Sequence, residues 1–193
     1  MSSEVIVYIA ASLDGYIARS DGSIDWLDIA GPEEAERSMS DFVELLNSVD
    51  CLVMGRKTFD TVKQFSPWPY GALPIVVLST TLSEAPQIEG ANIRIRSARP
   101  ADLLRELESE GLSRVYVDGG ATIHGFLREG LIDRITVATV PVLLGSGRPL
   151  FLETGHELKL KLESSVALES GIVKSAYRRQ PEAHQAHRAD GDR

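Results

Sequence analysis

The stretch CLVMGRKTFDTV, residues 51–62, is an apolar run that leaves through a glycine into an amphipathic segment. Residues 51–54 read as a strand covered on both faces, and residues 58–64 as a short helix after it. Between them, Gly55-Arg56-Lys57-Thr58 puts an unhindered backbone and two cations at a helix mouth. Such a junction suits an anion, because the first turn of a helix presents unpaired N–H groups and Arg and Lys add charge. Two solvated surface charges would leave the same local trace.

The same strand-then-helix grammar runs outward in both directions. Residues 5–11 form a continuous, β-branched apolar run, followed by a polar, glycine-containing loop over 12–26. Met39, Phe42, Val43 and Leu46 then fall at helical spacing, predicting a helix over 32–48 with Pro32, Glu33 and Glu34 at its start. Further strands are expected at 75–78, around Ile93 and Ile95, and at 115–117, with helices over 100–110 and through about 129. Beyond that point, 132–140, 158–168 and 171–178 read as strands without intervening helices. The pattern predicts an α/β fold whose mainly parallel sheet ends in an antiparallel C-terminal edge. No repeat or linker divides the chain, so one domain over 1–180 is expected, with a polar, mobile tail over 181–193.

In an open α/β sheet, ligands collect beyond the carboxyl ends of the strands. Two more junctions there resemble the first: Leu78-Ser79-Thr80-Thr81 brings hydroxyls, and Asp118-Gly119-Gly120-Ala121-Thr122 sets two glycines before a helix. Each alone could be a turn or a tight connection. Their recurrence at the same place on successive strands points to a long, phosphate-bearing ligand. The first strand leads into Ala11-Ser12-Leu13-Asp14-Gly15, with no G-x-G-x-x-G, and no G-x-x-x-x-G-K-[ST] occurs.

The net charge of −8 over 193 residues argues against nucleic acid or an anionic membrane as the main partner. Cys51, the single cysteine, sits in an apolar strand and reads as a core residue in a reducing compartment. No leader or membrane-length run is evident at the start, which makes the cytoplasm the expected location. His124, His156, His184 and His187 show no metal-ligand spacing, so no metal is expected.

Taken in order, IAASLDGYIA with DGSIDWL, VMGRKTF, IVVLSTT, VYVDGGATIHGFL and ATVPVLLGSGRPLF resemble the dihydrofolate reductase-like superfamily. Within it, the closest resemblance is to the reductase domain of bacterial riboflavin biosynthesis and its stand-alone relatives, over residues 5–179. The resemblance implies a single-domain dihydrofolate reductase-like fold and NADPH as cofactor. By matched motif, Ala11 would sit by the nicotinamide and Ile17 would line the first loop over the cofactor. Gly55, Arg56, Lys57 and Thr58 would hold phosphates, Ser79 and Thr80 would approach the adenosine phosphate, and Gly119, Gly120, Ala121 and Thr122 the pyrophosphate. Two cations beside hydroxyls fit a 2′-phosphate better than a bare ribose diol, hence NADPH over NADH.

The substrate side is less defined. Trp26 matches the tryptophan that closes the mobile loop in dihydrofolate reductase, or is a loop aromatic packed on the core. No acid in LDIAGPEEAERSMSDF aligns with the carboxylate that meets a pterin there; Asp28, Glu33, Glu34 and Asp41 are the candidates. Ile123 stands where that family has an aromatic, whereas PVLLG and RPL, from Pro141 and Arg148, look like the riboflavin-pathway branch. With no deaminase domain in this chain, the resemblance implies the reductase step alone, on a small-molecule substrate. Reduction of dihydrofolate and a non-catalytic NADPH-binding module are the alternatives. The C-terminal strands leave a sheet edge on which a homodimer could form.

Overall fold

Runs of Val, Ile and Leu that are apolar on both faces become the central strands of the computed structural model, which describes residues 3–29, 31–82 and 84–181. The tail expected beyond Pro181 lies outside the described residues. In chain order the strands are β1 (Glu4–Ser12), β2 (Tyr16–Ala18), β3 (Cys51–Gly55), β4 (Pro74–Leu78) and β5 (Asn92–Arg96). They continue with β6 (Arg114–Asp118), β7 (Arg134–Val140), β8 (Arg148–Pro149), β9 (Leu160–Ala167) and β10 (Val173–Arg179). The helices are α1 (Pro32–Ser48), α2 (Arg56–Val62), α3 (Pro100–Ser109) and α4 (Gly120–Arg128).

The main sheet has the order β5-β4-β3-β6-β1-β7-β10-β9. Pairings from β5 to β7 are parallel, and β10 runs antiparallel to both β7 and β9. Alternation along the strands divides the core in two. Val5, Val7, Ala11, Val53, Val76 and Val117 face Leu103 and Leu107 of α3 and Ile123 and Phe126 of α4. Ile6, Leu52, Met54, Ile75, Val77 and Tyr116 face Phe59 and Val62 of α2 and Phe42, Leu45 and Leu46 of α1. Burying each of the larger of these side chains contributes about 1.5–3 kcal/mol. Cys51 is wholly buried in the first layer, and burial pushes its thiol up to about 12, so it packs and does not react.

Local signals set the helix ends. Pro32 occupies the first turn of α1 with Glu33 and Glu34, where acids favour the positive end of the helix dipole. Gly111, at φ +83°, ends α3 and lets Leu112 N–H reach back to Leu107 O at 2.9 Å.

Two features depart from the sequence expectation. α2 begins at Arg56 and not at Thr58, because Gly55 is extended (φ −81°, ψ 163°) and helical geometry starts directly after it. Arg56 and Lys57 therefore belong to the helix's first turn. The loop over 12–26 also contains a strand, β2, which pairs with β8 through Tyr16 with Pro149 and Ala18 with Arg148.

Asp14 anchors this ribbon. Its carboxylate accepts a hydrogen bond from Ser12 Oγ at 2.6 Å and from the backbone N–H groups of Leu144 at 3.1 Å and Gly145 at 2.7 Å. The Ser12 hydroxyl and these amides hold the carboxyl below the usual carboxylate range. Asp14→Ala should speed hydrogen exchange at Leu144 and Gly145 while leaving β3 and β4 protected; unchanged exchange would mean the carboxylate does not hold the loop. Among the described residues, no helix is long and apolar enough to cross a membrane.

Candidate functional site

Parallel strands deliver their carboxyl ends to one edge, and the register lines up the three junctions there. Gly55 pairs with Leu78, Leu78 with Arg96, and Met54 with Asp118. Ser79, Gly55 and Gly119 therefore follow one another across β4, β3 and β6, with Ala11, buried, at the end of neighbouring β1.

Glycines are required because side chains close in on them. A Cβ on Gly119 would lie 2.2 Å from Thr58 Oγ1, one on Gly55 2.8 Å from Thr122 Oγ1, and one on Gly120 2.6 Å from Ile17 Cδ1. Gly55, Thr58, Gly119, Gly120, Thr122 and Ile17 are thus drawn into one cluster where α2, α4 and the first loop meet. Gly119 also holds φ +89° and ψ 131°, a conformation that a side chain strains. Gly119→Ala should cost about 2–4 kcal/mol of stability, from backbone strain of about 1–3 kcal/mol plus the clash. Adding Thr58→Ala should recover only the clash, so a thermal melt of the double variant should fall between the two. A Gly119→Ala variant as stable as the parent would contradict this geometry.

The second part of the site is a cleft of about 570 Å³ beyond β4 and β5, lined by Arg56, Leu78, Ser79, Thr80, Thr81, Ser97, Ala98 and Arg99. Arg56 Nη1 donates to Thr81 Oγ1 at 3.0 Å and its Nε lies 3.2 Å from Asp60, which fixes the guanidinium at the mouth. Ser79 Oγ accepts from Leu82 N–H at 2.9 Å and Thr81 N–H at 3.2 Å, tightening the turn. No carboxylate is among the lining residues. Two guanidinium groups and several hydroxyls are donors of the kind that suit an anion, with Asp60 and Glu129 already pairing with Arg56 and Arg99 from outside the lining. Lys57 and Ala121 are exposed and Lys57 lies outside this lining. Arg99 escaped the sequence reading; it precedes Pro100 in a loop, and only the β4–β5 register brings it opposite Arg56.

On the opposite face of the sheet the structure separates the acidic candidates. Asp28 and Glu33 are exposed. Glu34 is buried and accepts hydrogen bonds from Ser170 N–H at 2.9 Å and from Ser170 Oγ, which hold its carboxyl below the usual range and tie α1 to the β9–β10 turn. Asp41 forms an ion pair with Lys174 Nζ at 2.6 Å. Trp26 is buried against Val140 and Ile172, and its indole N–H has no acceptor among the described residues. Ile123 is fully buried in the α4 layer.

Asp118 is an acid the sequence reading treated only as part of a turn. It is the last residue of β6, half-buried, near Tyr70 and Tyr116, and accepts a hydrogen bond from Gly119 N–H at 2.7 Å. Burial pushes its carboxyl up to about 6, against the smaller opposing effect of that hydrogen bond. A carboxyl group ending an otherwise apolar strand was the available signal. Ala10, Ala138 and Lys174 stand in one row across β1, β7 and β10, with both alanines half-buried. His184 and His187 lie outside the described residues.

Residues 3–174 match the family model described as the RibD C-terminal domain. The chain is 37% identical to the Bacillus subtilis protein YwjB over 167 residues, covering 86% of this chain and 92% of that protein. It is 28% identical over 148 residues to the riboflavin biosynthesis protein RibD of Mycobacterium tuberculosis, covering 70% of this chain and 41% of RibD. Among solved structures, a Shewanella sp. PV-4 protein provisionally described as a riboflavin biosynthesis protein superimposes with a TM-score of 0.83. Its identity is 38%, with 92% of this chain and 99% of that one covered. The bifunctional deaminase and 5-amino-6-(5-phosphoribosylamino)uracil reductase of Thermotoga maritima gives a TM-score of 0.71 at 16% identity, covering 93% of this chain and 57% of that one, a likeness of fold alone.

Proposed function

This chain belongs to the RibD C-terminal domain family, and from that we propose that it is an NADPH-dependent reductase. Its substrate is a small heterocyclic or ribosylamino compound of the 5-amino-6-(5-phosphoribosylamino)uracil type. The observation that carries the reading is the arginine cleft, with Arg56 and Arg99 over Ser79, Thr80 and Thr81, adjoining the double glycine on one sheet edge. Two guanidinium groups and several hydroxyls, beside the glycine junctions after β3 and β6, fit a dinucleotide carrying an extra phosphate, which would share Arg56 with Asp60 and Arg99 with Glu129.

NADPH supplies the hydride when bound. The chain's own part is to hold and orient it, bring the acceptor carbon (C1′ of a ribosylamino group) against it and exclude water. In this reading Arg56, Arg99, Ser79 and Thr80 take the 2′-phosphate, and Gly119, Gly120, Ala121 and Thr122 the pyrophosphate. Gly55, Thr58, Ala11 and Ile17 shape the path between, with Lys57 as an outer cation. The acceptor carbon lies by Ala10 and Ala138. Asp118, in its carboxylic acid form, donates the proton, and Trp26 with the β2–β8 ribbon closes the ring side. β9 is exposed along its whole length, with Leu160, Leu162 and Val166 uncovered, which supports pairing with a second copy. A cytoplasmic location accords with the single buried thiol.

The test is loss of NADPH absorbance with 5-amino-6-ribosylaminouracil, with and without its 5′-phosphate, and with dihydrofolate. Oxidation with either uracil compound is expected. Turnover of dihydrofolate instead would favour a pterin reductase. Saturable NADPH binding with no turnover of any of the three would favour a binding module.

A further inference from the structure

The two halves of α1 meet the sheet in different ways. In the second half, Phe42, Leu45 and Leu46 pack into the layer built on Leu52, Met54 and Ile75. In the first half, residues 32–41, the one buried side chain is Glu34, a carboxylate. Ala35 and Met39 are exposed, as is Val43 one turn on, so no apolar stripe seats these turns. Beneath them lies a cleft of about 390 Å³ between α1 and the β9–β10 hairpin, lined by Glu34, Arg37, Asp41, Val166, Glu169 and Lys174 among others.

What holds the first half is polar. Glu34 accepts from Ser170 N–H at 2.9 Å and from Ser170 Oγ, at the turn of the hairpin. Further along, Asp41 pairs with Lys174 Nζ at 2.6 Å. The two ties differ in their surroundings. The Asp41 side chain is 52% exposed, so solvent screens its ion pair, whereas Glu34 is buried and its bonds to Ser170 are shielded. The Glu34–Ser170 contact is therefore the latch. Nothing clamps the start of the helix, since a Cβ on Gly31 would have no neighbour within 4 Å.

A helical segment shorter than about 12–15 residues is marginal in water by itself. Residues 32–41 lack apolar burial, so they keep their form through these ties and through continuity with the packed half. Opening them exposes little apolar surface and returns the Glu34 carboxylate to water, which offsets part of the bonding lost. Opening the second half would expose Phe42, Leu45 and Leu46 together.

We propose that residues 32–41 form a latched strap, which opens as a unit from the β9–β10 hairpin while the second half of α1 stays packed, and so uncovers Lys174 in the cleft. The strap gives small solutes a way to the sheet face under α1 without opening the core. It does not depend on the reductase reading, and its tests need neither cofactor nor substrate.

Hydrogen exchange on the full chain is the first test. Amides 36–41 should exchange at least tenfold faster than amides 45–48. Ser170→Ala should raise exchange at 36–41 a further tenfold, leaving 45–48, β3 and β4 unchanged, and Ser170→Thr, which keeps the hydroxyl, should restore the parent's rate. Ser170 Oγ also accepts from Ile172 N–H at 3.3 Å, within the hairpin. Glu34→Gln leaves that bond intact and should still raise exchange at 36–41. The second test is chemical. The Lys174 side chain is 16% exposed, so its acetylation by acetic anhydride should be limited by opening of the strap. Ser170→Ala should speed that acetylation at least fivefold, with exposed Lys159 and Lys161 as unchanged references. Equal protection of 36–41 and 45–48 in the parent overturns the proposal. So does a rise on Ser170→Ala that spreads to 45–48 and the sheet, or Lys174 acetylation that Ser170→Ala leaves unchanged.

Discussion

Replacing Arg56 with alanine is expected to weaken NADPH binding about tenfold to a hundredfold and to leave NADH binding nearly unchanged. A hydrogen bond to a charged group contributes about 1.5–3 kcal/mol, and about 1.4 kcal/mol is a factor of ten. Arg56 is 42% exposed in its side chain, so solvent screening favours the lower half of that range. What lifts it above an ordinary surface cation is its fixed direction. Thr81 at 3.0 Å and Asp60 at 3.2 Å hold the guanidinium before any ligand arrives, so little side-chain freedom is lost on binding. Arg99, which shares the cleft and is 76% exposed, should show a smaller loss. Lys57→Ala should cost less than threefold. Titrating each variant with both cofactors by tryptophan fluorescence or calorimetry tests this. An equal loss for NADPH and NADH would place Arg56 at the pyrophosphate or in the fold, and no loss would remove the 2′-phosphate from this cleft. Raising the salt should narrow the preference of the parent protein but hardly change that of the variant.

How much of this site could be read from the sequence depends on how far each residue's partner lies along the chain. β1, β3, β4 and β6 were legible because both of their faces are apolar, and α1 was legible over Pro32–Ser48 from its Pro-Glu-Glu start, but Met39 and Val43 of its expected apolar set are exposed and Leu45 joins Phe42 and Leu46 on the core side. The glycine junctions after β3 and β6 were legible by motif. The reason glycine is needed was not, since the contacts of Gly119 with Thr58 and Gly120 with Ile17 cross between elements. Arg99 joins Arg56 only through the pairing of β4 with β5. The choice between Glu33 and Glu34 depends on helix phase and on Ser170, far along the chain. β2 and β8 are too short to show a period, and their partners are equally remote. Asp118 needed two facts that no local window contains: that β6 is a central strand, and that Tyr70, far along the chain, lies near the end of it.

Asp118→Asn should make the protein more stable and less active, and the two effects should part along the pH axis. The carboxyl titrates at about 6 in the folded chain, above the value near 3.9 of an unfolded aspartate. The folded state therefore holds this proton more tightly than the unfolded state. Stability from this group is fully present below about pH 4 and is lost as pH rises through about 6, where the half-buried group must ionise. Asparagine keeps an oxygen to accept the Gly119 N–H but carries no charge. At pH 8 the variant should gain up to about 3 kcal/mol, one pKa unit being about 1.4 kcal/mol. For a chain of this size that corresponds to a melting temperature about 5–10 °C higher. At pH 4 the two proteins should melt together. Turnover should move the other way. A proton donor of this kind contributes about 10²–10⁴-fold, and the parent's rate should decline above about pH 6 as the acid form is depleted. The variant should lose both the rate and that pH limb. A variant that is less stable at pH 8 would mean the carboxylate makes favourable contacts that outweigh its burial. A variant with an unaltered pH profile would assign the proton to water and leave Asp118 the task of positioning the ring.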